Sequence, residues 1–196
     1  MVAHAIVAVG AASGGLEPLR RITERLPRNS GATVFVVMHS GAASFLPEIL
    51  SWHGKLAVEF ARDGAPVEAG HIYVAPPDRH MCVVADHIRL NQEPRVHNVR
   101  PAIDPMFASV AKAYGKRVMG IVLSGAGSDG AAGIVEIERL GGCALVQDPR
   151  QATVPSMPEA VIAADAPECL SIEDIAVRVT EFCSRDDVRL SLAEPA

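Results

Sequence analysis

The segment Ala5-Ile-Val-Ala-Val-Gly-Ala-Ala-Ser-Gly-Gly-Leu16 limits what this chain can fold into more than any other. Ala5–Val9 is apolar throughout, as a strand buried on both faces must be. It runs into Gly10, and a helix follows Gly15 with Leu16, Leu19, Ile22 and Leu26 on one stripe. Pro18 suits that helix's first turn, where the missing N–H costs nothing. A doubly buried strand that turns directly into an amphipathic helix belongs to a parallel sheet covered by helices. The turn also nearly spells Gly-x-Ser-x-Gly, the elbow that presents a nucleophilic serine. Gly10 and Gly14 hold its glycine positions, Ala12 holds its centre, and Ser13 comes one residue late.

The same alternation recurs along the chain. Strands are expected at Ala32–Met38, Ala57–Phe60, His71–Ala75, Arg117–Leu123, Cys143–Val146 and Glu168–Ser171. Helices are expected at Phe45–Trp52, from Asp104 as N-cap through Tyr114 with Met106, Val110 and Ala113 inward, after the Ser124–Gly130 loop through Leu140, and over Ile172–Cys183. Met81–Ala85 and His87–Asn91 flank Asp86 as a tight hairpin, and Gln92–Pro101 reads as a polar loop. The fold expected is α/β: a doubly wound, mostly parallel sheet with helices on both faces and an inserted antiparallel hairpin. Residues 1–185 read as one domain, and 186–196 as a polar tail.

Composition narrows the function classes. A net charge of -5 and 4% aromatic residues leave neither a basic face for phosphates nor platforms for bases, so no nucleic-acid partner is expected. No apolar run approaches the roughly 20 residues that span a bilayer, and no basic region precedes the first strand. No membrane insertion and a cytoplasmic location are therefore expected. Cys82, Cys143, Cys169 and Cys183 are scattered without a C-x-x-C pair, which points to thiols rather than metal ligands or a disulfide framework.

In doubly wound sheets, sites form beyond the carboxyl ends of the strands. Three features fall there together: the Gly10–Gly15 turn, Met38-His39-Ser40, and the loop Ser124-Gly-Ala-Gly-Ser-Asp-Gly130 with Asp129 at a helix start. A hydroxyl, an imidazole and a carboxylate from such loops are the parts of a nucleophile, base and orienter relay. Singly, each has a plainer reading. The turn resembles a phosphate cradle, His39 a polar strand end, and Asp129 an N-cap. The G-x-G-x-x-G spacing and a Walker lysine are both absent, which disfavours nucleotide binding. Joint placement favours a site. The order of turn, His and Asp also differs from the Ser, Asp/Glu, His order of α/β-hydrolases.

These residues carry a family resemblance. Gly10-Ala-Ala-Ser-Gly-Gly15, Met38-His39, Tyr73-Val-Ala-Pro-Pro-Asp-Arg-His-Met81, Arg100-Pro-Ala-Ile-Asp104, Leu123-Ser-Gly-Ala-Gly-Ser-Asp-Gly-Ala-Ala-Gly133, Gln147-Asp148 and Ser156-Met-Pro-Glu-Ala160 resemble the catalytic domain of CheB-type chemotaxis methylesterases. The match runs from about Ile6 to Cys183. It implies a protein-glutamate methylesterase, often also a glutamine deamidase, acting on a methylated receptor or other signalling protein through a Ser-His-Asp triad. On matching motifs, His39 is the base and Asp129 its orienter. Gly14 and Gly15 of the turn, with Gly125, Ala126 and Gly127, face the oxyanion. No cofactor and no metal are implied. Arg20, Arg79 and Arg100 are candidate cations for the edge of the site.

Two departures from the family stand out. Ala12 occupies the slot where the family has its serine, and a methyl group cannot attack an ester. No segment resembles the receiver domain that family members commonly carry, so regulation by a separate protein is one expectation. Three accounts of Ala12 are open: an engineered replacement, a natural loss leaving a receptor-binding module without catalysis, or takeover by Ser13. One step around a helical start turns a side chain by about 100°, so Ser13 fits a capping role better than a nucleophile's.

Overall fold

The computed structural model describes residues 4–39, 45–52, 54–165 and 167–184. Strand β1 (Ile6–Ala11) leads through the glycine turn to helix α1 (Leu16–Arg25), then to β2 (Thr33–Met38) and α2 (Leu46–Ser51). Next come β3 (Ala57–Phe60), β4 (His71–Val74) and the hairpin of β5 (His80–Val84) and β6 (His87–Asn91). The chain continues with α3 (Ile103–Tyr114), β7 (Val118–Val122), α4 (Ala131–Arg139) and β8 (Cys143–Gln147). It ends, among the described residues, with α5 (Ser156–Asp165), β9 (Glu168–Leu170) and α6 (Ile172–Ser184). Ser40 and residues 186–196, named above as strand end and tail, lie outside the described residues.

One seven-stranded sheet runs β3-β4-β2-β1-β7-β8-β9, and every pairing in it is parallel. The antiparallel hairpin β5-β6 stands apart, with Ala85 and Asp86 both left-handed at its tip. Alternation divides the core. Val7, Val9 and Ala11 of β1 pack with Leu19 and Ile22 of α1 and with Ile175 and Val179 of α6. Ile6 and Ala8 face the other way, with Met106 and Val110 of α3, Ile134 of α4, Val161 of α5 and Met81 and Ile88 of the hairpin. The order turns back at β1, which lies between β2 and β7 and so marks the switch point where such sheets open a crevice.

Two local readings are corrected by the structure. Helix α3 begins at Ile103 with Ala102 as its N-cap, so Asp104 is not the cap but lies in the first turn. Helix α5 has no counterpart among the sequence expectations. Its Met157, Pro158 and Val161 are buried, but the run Ala160-Val-Ile-Ala-Ala164 carries no apolar stripe at helical spacing.

Candidate active site

The register of β1 against β2 builds the site. Ala11 pairs with Met38, so Ala12 and His39 are the next residues on two adjacent parallel strands. His39 N–H donates to Ala11 O at 3.0 Å, holding the two strand ends together. Ala11 and Met38 face the α1 and α6 layer. By alternation Ala12 and His39 face the opposite layer, where Ala12 joins the core beside α3 and α4.

Asp129 reaches the same layer from the loop after β7. Its Oδ2 lies 2.9 Å from His39 Nε2, and its side chain is 2% exposed against 16% for His39. The N–H groups of Ile103 and Asp104 donate to its Oδ2 and Oδ1 at 2.7 and 3.0 Å. Burial alone pushes the Asp129 carboxyl upward. The bonds from His39, Ile103 and Asp104 outweigh it and hold the group below the usual carboxylate range. An ionised Asp129 accepting Nε2–H leaves the lone pair of a neutral His39 on Nδ1. Asp129 is not the N-cap of the helix it precedes, which is Gly130; its carboxylate instead accepts N–H groups in the first turn of α3.

The glycine loops are fixed by bonds that the sequence did not reveal. Ala12 N–H donates to Ser124 O at 3.0 Å, and Ser124 Oγ donates to Ser13 O at 2.8 Å while accepting Val154 N–H at 2.9 Å. Gln147 Oε1 accepts Ser124 N–H at 2.8 Å. Ser124 and Gln147 are thus buried tethers joining the two loops to the 148–155 segment. Gly125 must be glycine for proximity: a Cβ there would come within 2.4 Å of Met157 Cε and 2.8 Å of Ala12 Cβ.

These tethers redistribute the expected oxyanion donors. Gly15 N–H is spent on Ala12 O and Gly125 N–H on Val154 O. The N–H groups of Gly14, Ala126 and Gly127 enter no backbone hydrogen bond among the described residues. Ser13 is exposed and is not the N-cap of α1, a position that Gly15 takes without a side-chain bond. Of the candidate edge cations, Arg20 is paired with Glu17 and Glu24, and Arg100 clamps Asp78 and the carbonyls of Gln92 and Glu93. Arg79 is exposed. A cleft of about 420 Å³ lies behind the glycine turn, between Gly14, Arg21, Gln147, Thr153 and Glu173, and includes none of Ala12, His39 or Asp129.

The fold and the imidazole–carboxylate pair at its switch point define a doubly wound α/β domain equipped for general-base chemistry. The chain belongs to the CheB methylesterase family, whose model matches residues 7–179. It is 39% identical over 166 residues to a protein-glutamate methylesterase/protein-glutamine glutaminase of Pyrococcus abyssi, covering 82% of this chain and 45% of that protein. A namesake from Symbiobacterium thermophilum is 38% identical over 179 residues, covering 89% and 49%. The chain therefore spans about half the length of these relatives. The crystal structure of the Thermotoga maritima CheB methylesterase catalytic domain superposes with a TM-score of 0.87 at 30% identity, covering 91% of this chain and 98% of that one.

Proposed function

We propose that this chain is a protein-glutamate methylesterase domain, with glutaminase capacity, in which Ala12 occupies the nucleophile's position and leaves the site silent. The reading rests chiefly on one observation: His39, bonded to buried Asp129, stands beside Ala12 in strand register. With serine at position 12, His39 Nδ1 takes the hydroxyl proton as Oγ attacks the ester carbonyl. The N–H groups of Gly14, Ala126 and Gly127 receive the oxyanion. Collapse expels methanol with the proton returned by the imidazolium. Water, deprotonated by His39, then cleaves the acyl-serine to a glutamate carboxylate. A glutamine side chain would follow the same path and release ammonia.

His39 is the part of the pair that reaches the surface, at 16% exposed against 2% for Asp129. A methyl ester carried on the outside of a receptor helix needs such a surface-facing base, and Ser13 and Gly14 beside Ala12 are exposed as well. The relatives' names supply the ester and the amide, and the partner is a methylated receptor or other signalling protein. We place the domain in the cytoplasm. No helix among the described residues is long and apolar enough to cross a membrane. Control by a separate regulatory protein belongs to the same proposal.

Methanol release from a methylated receptor fragment tests it. Losing a triad nucleophile removes on the order of a million-fold in kcat, so Ala12→Ser is expected to turn over while the chain with Ala12 shows only background. Ala12 itself favours a second reading, a receptor-binding module without catalysis. Receptor binding by both forms with methanol from neither would select that reading.

A further inference from the structure

Asp129 orients His39, and something must orient Asp129. Its two oxygens are held by the first turn of α3, through Ile103 N–H and Asp104 N–H. The side chain of Asp104 returns the favour across the interface. Its Oδ1 accepts Gly130 N–H at 3.0 Å and Gly133 N–H at 2.7 Å, in the first turn of α4. The two helix starts thus satisfy each other: Asp129, just before α4, faces the positive N-terminal end of α3, and Asp104 of α3 faces that of α4. Oδ2 of Asp104, on the solvent side, meets His97 Nε2 at 2.9 Å.

His97 is presented with some effort. It and Asn98 both adopt left-handed backbone, at φ 51 and 62, in a turn closed by Val99 N–H on Val96 O at 3.0 Å. Left-handed backbone is sterically disfavoured for residues that carry a Cβ. The side chain of His97 is 41% exposed and that of Asp104 13%. Ligand atoms of His97, Asp104 and Asp129 all lie within 4.8 Å of one another. A cation is a poor occupant, because the carboxylate oxygens already face four backbone N–H groups and His39.

We propose that His97 and Asp104 form a second imidazole–carboxylate pair, and that they are positioning residues that fix Asp129 and through it set the charge balance felt by His39. The role rests on the reading of His39 as the base. The pair acts through this α3–α4 exchange and touches no substrate. Among the described residues, the charged and titratable groups facing Asp129 are His39, Asp104 and His97.

The test uses the chain with Ala12, so it needs no turnover: the His39 imidazole is titrated by NMR. Asp104→Asn keeps an oxygen for Gly130 and Gly133 N–H but removes the charge. The His39 midpoint is expected to fall by about half a pH unit. His97→Ala leaves the Asp104 charge uncompensated at an exposed site, and the midpoint is expected to rise. Opposite signs in two folded variants are the signature that mere scaffolding would not give. An unchanged midpoint in folded His97→Ala and Asp104→Asn overturns the proposal, as does stoichiometric Zn²⁺ binding that requires both residues. The parent readings separate cleanly. Opposite shifts with an inert Ala12→Ser leave the positioning role standing and sink the esterase. An active Ala12→Ser with flat titrations does the reverse.

Discussion

Asp129 concentrates the electrostatics of the site in one buried side chain. Its carboxyl is held below the usual carboxylate range by the bonds from His39, Ile103 and Asp104, against the upward push of burial. A depressed carboxylate contributes stability that is fully present above the unfolded value and lost as pH falls through the folded one. Asp129→Asn is therefore expected to cost about 2 kcal/mol near neutrality and to flatten the stability profile below about pH 4. Denaturant melts of both proteins at pH 7 and pH 3 check this. Equal losses at the two pH values would mean that the carboxylate is not what its neighbours hold. At the same scale, Ser13 lacks the setting of a nucleophile: it is exposed, and among the described residues only its carbonyl is tied in, by Ser124.

Helices α3 and α4 form the unit that delivers Asp129 to His39, and their spacing is set by glycine. A Cβ at Gly133 would lie 2.5 Å from Phe107 Cβ, close to the α3 backbone, where no flexible tip can yield. Gly133→Ala is expected to wedge the helices apart and destabilise the domain by about 1–3 kcal/mol, despite alanine's better helix propensity. Urea unfolding measures it; a stability gain would show that the helices can separate without loss. Gly10 does related work on β1, where a Cβ would collide with Ile103 at 2.6 Å. That contact seats the start of α3 over β1, the strand that ends at Ala11, just before Ala12. His80 completes the seating, accepting Ala102 N–H on Nδ1 and reaching Pro94 O through Nε2, both at 3.2 Å.

Across the whole molecule, what could be read from sequence follows the range of the force involved. Doubly buried parallel strands print themselves as β-branched runs, so β2 and β7 were legible, and their ends pointed to His39 and Asp129. The glycine turn was legible for the same reason, although β1 runs on to Ala11, two residues past Val9, and so puts Ala12 first beyond the strand. Pairings made across the fold left no local trace. The exchange between Asp104 and Asp129 joins the starts of two helices far apart in the chain, and Gln147 meets Ser124 only once β7 and β8 are side by side. The spent N–H groups of Gly15 and Gly125 were hidden for the same cause. Helix α5, short of a stripe, gave no periodic signal.

The central claim is that a competent His39–Asp129 relay stands beside a missing nucleophile. The most direct measurement is covalent labelling with a fluorophosphonate, read by mass spectrometry, because it needs no receptor. Ala12→Ser is expected to take up one adduct at position 12, and His39→Ala in that background to slow labelling by more than about 100-fold. The chain with Ala12 is expected to take up none. Labelling of the Ala12 chain at Ser13, or an unlabelled Ala12→Ser protein that is fully folded, would contradict the account.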